Sequence, residues 1–111
     1  MAGVSEIPVD EAIERVSAGS YLLDVREQDE WDRGHAPAAH LIPMSTIEQR
    51  VGELPGDEPL LVICHSGYRS YNVARALVAA GYDAVSVAGG MEAWQSAGGE
   101  VVRDASQPPL D

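Results

Sequence analysis

An α/β domain with a parallel sheet covered by helices on both faces is predicted by two features of this 111-residue chain. Short apolar runs of strand character alternate with segments of helical spacing, and the unbroken run Leu60 to Ile63 is of the kind buried on both sides of a parallel sheet. That run leads straight into Cys64, His65, Ser66, Gly67, Tyr68, Arg69 and Ser70, and then into a helix-spaced segment. A strand, a loop and a helix in this order place ligands beyond the carboxyl ends of the strands.

The elements follow in order. Val4 to Ile7 reads as a first strand, and Val9, Ala12, Ile13 and Val16 mark one face of a helix that ends near Gly19. Tyr21 to Val25 is a second strand, followed by a short acidic helix from Glu27 to Arg33 that stops at Gly34. His40 to Ile42 is a short third strand, and Thr46 to Leu54 is predicted to be helical. After the strand Leu60 to Ile63 and the loop, Val73, Ala74, Leu77 and Val78 give a helix capped by Gly81. Ala84 to Val87 is a further strand before Gly89 and Gly90, and Met91 to Ala97 is the last helix. Residues 1–103 are expected to form one domain, and 104–111, with Pro108 and Pro109 in its segment Gln107 to Asp111, a loose tail.

Composition narrows the function. Eighteen acidic residues face seven arginines and no lysine, a formal charge of −11 that argues against a nucleic-acid-binding surface. No apolar run approaches the ~20 residues of a membrane span. The start lacks a basic region followed by an apolar stretch, so no secretory signal is expected. Cys64 is the only cysteine; it has no internal disulfide partner, and a free thiol is best preserved in a reducing compartment, so a cytoplasmic location is expected.

The loop carries the chemistry. A cysteine at the start of a loop that closes on a helix N-terminus faces several backbone N–H groups and the positive end of a helix dipole, which favour a thiolate. Gly67 allows a positive φ or close approach of a ligand to the backbone. His65 and Arg69, with no acid among the seven loop residues, make a locally electropositive pocket in an acidic chain, suited to small anions. A lone cysteine is more often a small buried hydrophobe, but the loop, glycine and helix start favour a functional thiol. Asp24 and Arg26 read as a structural ion pair supporting the loop, His35 as a hydrogen-bonding structural residue, His40 as an ordinary strand histidine, and Trp31 and Trp94 as core fillers. The acidic run Glu27 to Asp32 reads most simply as a solvated helix face, with docking of a basic partner as the alternative. No short ligand-pair spacing joins these histidines to Cys64, so no metal site is expected.

Several separated motifs together resemble the rhodanese-like sulfurtransferase family. Asp24, Val25 and Arg26, then Glu30, Gly34, His35, Pro37, Ile42 and Pro43, resemble its Asp-Val-Arg and Gly-His segments. CHSGYRS resembles its active-site loop, and Gly89, Gly90, Met91 through Trp94 its terminal Gly-Gly and tryptophan segment. The resemblance covers roughly residues 4 to 100, with departures at Ala36, Ala38 and His65. It implies a three-layer domain with a parallel sheet of about five strands and a persulfide on Cys64 as the carrier of sulfane sulfur. A small anionic donor such as thiosulfate, or a related persulfide, would load Cys64, and cyanide, a thiol or a protein acceptor would discharge it, with no cofactor. His65, Ser66, Gly67, Tyr68, Arg69 and Ser70 would form the substrate-binding loop, backed by Asp24, Arg26, Glu30 and His35. Arg69 would either attract the donor's sulfonate or tie the loop to an acid such as Glu30. Mercaptopyruvate-using relatives carry a shorter Gly-Ser-Gly type loop, which CHSGYRS does not match. Two other functions belong to this fold. Its phosphatase and arsenate-reductase branch places five residues between cysteine and arginine, against four here, His65 to Tyr68. Its non-catalytic binding modules have lost the cysteine that this chain keeps.

Overall fold

The computed structural model describes residues 5–103. Five strands form one fully parallel sheet: β1 (Ser5–Ile7), β2 (Tyr21–Asp24), β3 (Ala39–Leu41), β4 (Leu60–Ile63) and β5 (Ala84–Val87). Their order across the sheet is β1-β5-β4-β2-β3. The helices are α1 (Val9–Ser17), α2 (Gln28–Asp32), α3 (Ile47–Arg50), α4 (Tyr68–Ala79) and α5 (Gly90–Ser96). The predicted fold class is therefore the observed one. Val4 and the tail 104–111 lie outside the described residues.

The apolar run in β4 is unbroken because the strand is central, between β5 and β2, and all four of its residues are buried. The pleat sorts them. Leu60 and Val62 join Leu23, Val25 and the α4 residues Val73, Ala74 and Leu77 in one buried cluster, with Ile47 of α3 packed against it. Leu61 and Ile63 join Leu22, Ala12 of α1 and Met91 and Trp94 of α5 on the other face. Leu22, Leu23, Leu60 and Leu61 are each completely buried, and burial of such a side chain contributes about 1.5–3 kcal/mol. Cys64, one step beyond β4, continues the alternation and belongs to the α4-side cluster. Strand periodicity thus decides which face of the sheet holds the thiol.

Three expectations are corrected. The helix predicted over Thr46 to Leu54 is broken into a 3-10 turn at Met44–Thr46, the single turn α3 and a second 3-10 turn at Val51–Glu53. Pro43 precedes the segment and Gly52 interrupts it, and Leu54 is already extended. Helix α4 starts at Tyr68, so Tyr68, Arg69 and Ser70 form its first turn instead of continuing the loop. The reason is Gly67, which caps the helix at φ 108°, a left-handed conformation open to glycine. Trp31 is only half-buried and lies outside both core clusters; its ring stacks on His35 at 3.5 Å between centroids. Trp94 does fill the core, and its indole N–H donates to the Glu100 carbonyl at 2.9 Å.

Candidate active site

Asp24 and Ile63 are paired in register at the carboxyl ends of β2 and β4, so Cys64 and the Asp-Val-Arg segment share one rim of the sheet. Cys64 is buried, and its Sγ sits under the turn that opens α4. The Gly67 N–H donates to Sγ at 3.1 Å, and Ser70 Oγ lies 3.4 Å from it. A hydroxyl can accept from a thiol or donate to a thiolate. Ser70 Oγ in turn lies 2.8 Å from Ser86 Oγ and donates to the Gly67 carbonyl at 3.2 Å. Ser70 and Ser86 are both completely buried. Alone, Ser86 on β5 gives no sign of function; only the parallel pairing of β4 and β5 brings it to the site.

The loop backbone is held from behind. The Met91 N–H donates to the Cys64 carbonyl at 2.7 Å, and the Glu92 N–H to the His65 carbonyl at 3.1 Å. Both carbonyls therefore point at α5, and in trans peptides the N–H groups of His65 and Ser66 point the opposite way, toward the face that holds Sγ. The first N–H groups of α4 also lack helical acceptors. Together they form a positive, donor-rich surround for an anion on or beside the sulfur. Gly90 makes the close approach possible: a Cβ there would lie 2.4 Å from the Cys64 carbonyl oxygen and 2.6 Å from the His65 carbonyl. The Gly89, Gly90 pair thus serves as the backing of the loop, a role that its place in a motif does not reveal.

Arg26 and Asp24 form a buried ion pair. Asp24 is completely buried, and Arg26 meets it through Nε at 3.0 and 3.1 Å and Nη2 at 2.8 Å. Arg26 also donates to the carbonyls of Gly34 at 2.8 Å and Glu30 at 3.3 Å, pinning the end of α2 to the end of β2. Glu30 then reaches across: its two carboxylate oxygens each take an N–H of Arg69 at 2.7 Å. Of the two alternatives for Arg69, the structure shows the pairing with Glu30. The acidic run is accordingly not all solvated, since Glu30 points inward and also accepts the Glu27 N–H at 3.1 Å as the capping partner of α2.

Arg69 holds the Glu30 carboxyl down at about 2, with the Glu27 N–H helping and partial burial opposing. The same pairing raises Arg69. A depressed carboxyl contributes stability that is fully present above its unfolded value near 4.5 and is lost as pH falls through about 2. Glu30→Gln is therefore expected to lower stability by about 1 kcal/mol at neutral pH, the scale of a partly buried charged pair still reached by solvent. The deficit should shrink as both proteins are melted at pH values stepping down from about 4.5 toward 2. A deficit that does not change with pH would mean that the ion pair is not its source.

The remaining predicted residues are placed as follows. His65 is exposed, with Nε2 3.8 Å from Glu92 Oε2; Ser66 is exposed; and Tyr68 stands out at 77% exposure. The electropositive character expected of the loop is thus muted, because Arg69 is paired and His65 faces an acid. His35 is buried, its Nδ1 3.0 Å from the Ala36 carbonyl, and its backbone pairs with Val102. His40 is an exposed strand residue stacked on Tyr21 at 4.3 Å. Among the described residues no three His, Cys, Asp or Glu side chains are grouped to hold a metal ion, and no helix is long and apolar enough to cross a membrane.

Comparison with known proteins agrees with this geometry. A family model described as a rhodanese-like domain matches residues 8–97. A Bacillus subtilis (strain 168) protein named "Putative sulfurtransferase YtwF" is 38% identical over 94 residues, covering 83% of this chain and 91% of that one. A second protein of that organism, named "Putative sulfur carrier protein YrkF", is 34% identical over 96 residues; the match covers 84% of this chain and only 52% of the relative, about half its length. The crystal structure of a rhodanese-related protein from Thermoplasma volcanium superposes with a TM-score of 0.85 at 31% identity, covering 90% of this chain and 99% of that one. Parallel sheet, thiol-bearing turn and family match agree, and the chain belongs to the rhodanese-like domain family.

Proposed function

We propose that this protein is a sulfurtransferase that carries sulfane sulfur on Cys64. The Cys64 thiolate attacks the outer sulfur of thiosulfate, the donor's S–S bond breaks, and sulfite leaves with the bonding electrons. Cys64 is left as a persulfide. Cyanide or a thiolate then attacks the terminal sulfur, and Cys64 departs as the thiolate that began the cycle. The observation that carries this reading is the Gly67 N–H aimed at Sγ, at the mouth of a twelve-residue helix and with the hydroxyl of Ser70 alongside. A backbone N–H at a helix N-terminus stabilises negative charge on Cys64 and on the terminal persulfide sulfur. The relatives named as sulfurtransferase and sulfur carrier support the same class of chemistry.

Phosphoryl transfer is disfavoured by Arg69. A phosphatase needs its loop arginine on the phosphate, whereas here Arg69 follows Cys64 after only the four residues His65 to Tyr68 and is paired with Glu30. A thiol that cycles through a persulfide works best in a reducing compartment such as the cytoplasm.

Incubation with thiosulfate is expected to add the mass of one sulfur atom to the intact protein, and cyanide should then remove it as thiocyanate. Unchanged mass with every donor of a panel of thiosulfate, polysulfide and persulfide compounds would end the proposal.

A further inference from the structure

An apolar groove of about 490 Å³ lies between the Met44–Val51 segment and α4. Met44, Ile47, Val51, Val73 and Leu77 line it. The groove is on the thiol's side of the sheet, because Cys64 and Val73 belong to one buried cluster and Ile47 and Val51 pack against that cluster. The Met44 N–H donates to the Val25 carbonyl at 3.0 Å, so the groove wall hangs from the end of β2 beside the site. At the other end, Asn72 lines the groove and donates from Nδ2 to the Tyr68 carbonyl at 3.0 Å. Met44 and Tyr68, 40% and 77% exposed, are two of the three large exposed hydrophobic residues among the described residues. An exposed apolar side chain at the edge of an apolar groove marks an interaction surface.

Charge restricts the occupant. Glu48 is the only charged residue lining the groove, and Glu27, whose carboxylate accepts from Ser45 Oγ at 2.9 Å, flanks Met44. Of the arginines near the groove, Arg50 is taken by Glu53 and Arg69 by Glu30, while Arg75 is exposed on α4. An apolar side chain between basic ones finds an apolar pocket here, with Glu48 and Glu27 to face its charges. We infer that the groove is the docking surface for a protein sulfur acceptor whose reactive cysteine is flanked by apolar and basic residues. This rests on the sulfur-transfer reading of Cys64. On docking, the partner's thiolate attacks the terminal sulfur of the Cys64 persulfide, forms a new persulfide on the partner, and releases the Cys64 thiolate.

The test loads the protein with thiosulfate, checks the added sulfur by intact mass, and times its discharge by two synthetic peptides, acetyl-Leu-Lys-Cys-Lys-Leu-amide and acetyl-Leu-Glu-Cys-Glu-Leu-amide. Each rate is divided by that of the same peptide with a small aromatic disulfide, which removes differences in intrinsic thiol reactivity. The basic peptide is expected to be favoured by about tenfold at low ionic strength, with the advantage fading as salt is added. Glu48→Lys should erase most of that preference, and Met44→Ser should slow the basic peptide several-fold. Discharge by cyanide should be the same in both variants as in the parent. Failure to load sulfur would defeat the sulfur-transfer reading itself. Normal loading with equal peptide rates, or a preference that survives Glu48→Lys, would overturn the docking surface alone. A concentration-dependent dimer in light scattering that Met44→Ser disrupts would assign the groove to a second copy of this chain and overturn it too.

Discussion

Cys64→Ser is expected to take up no sulfur from thiosulfate and to lose transfer to cyanide by on the order of 10⁴-fold or more, as removal of a covalent nucleophile does. The serine oxygen still fits beneath the Gly67 N–H and beside Ser70 Oγ, so the buried hydrogen bonds have a replacement partner. What disappears is the polarisable sulfur able to attack a sulfur and leave again as a stable anion. The fold should survive, with a thermal midpoint within a few degrees of the parent, because the exchange is nearly isosteric. Intact mass and thiocyanate release measure the chemistry, and a thermal melt controls for folding. A folded serine variant that transfers sulfur at the parent rate would show that the nucleophile is elsewhere.

Arg26→Leu should produce the largest loss of stability, about 3–5 kcal/mol, the usual consequence of leaving one member of a buried ion pair uncompensated. Asp24 is completely buried and has Arg26 as its partner through three side-chain contacts and one backbone N–H. The same substitution frees the Gly34 and Glu30 carbonyls, loosening the α2 segment that presents Glu30 to Arg69. Sulfur transfer should therefore fall along with stability. Adding Asp24→Asn to Arg26→Leu should recover part of the lost stability, since the stranded charge is then gone, without restoring the brace on α2. Urea denaturation of the parent, the single variant and the double variant measures this. A single-variant loss below about 1 kcal/mol, or a double variant no better than the single, would show that stranded charge is not what destabilises the protein.

Both variants fall at residues that the sequence itself singles out. Cys64 was legible because its signals are local: an apolar run, a thiol, a glycine and a helix-spaced segment lie within a few residues. Asp24 and Arg26 were legible for the same reason, since a side chain can fold back on a carboxylate two residues away. The strand order was not, and neither was the broken 44–53 segment, where Pro43 and Gly52 outweigh a spacing that looks helical. Trp31 shows the limit of composition: a tryptophan on a five-residue surface helix stacks on His35 instead of entering the core.

By itself, then, the sequence determined that a thiol stands where a buried parallel strand gives way to a helix, because periodicity and glycine act through near neighbours along the chain. Only the tertiary structure decided that Arg69 belongs to Glu30, thirty-nine residues away. It alone decided that Ser86 extends the hydroxyl pair beside Cys64, and that Gly90 lets α5 close on the loop. Those choices depend on which strands lie side by side and how closely two backbones pack, and such distances are set by the whole core and not by any segment of it.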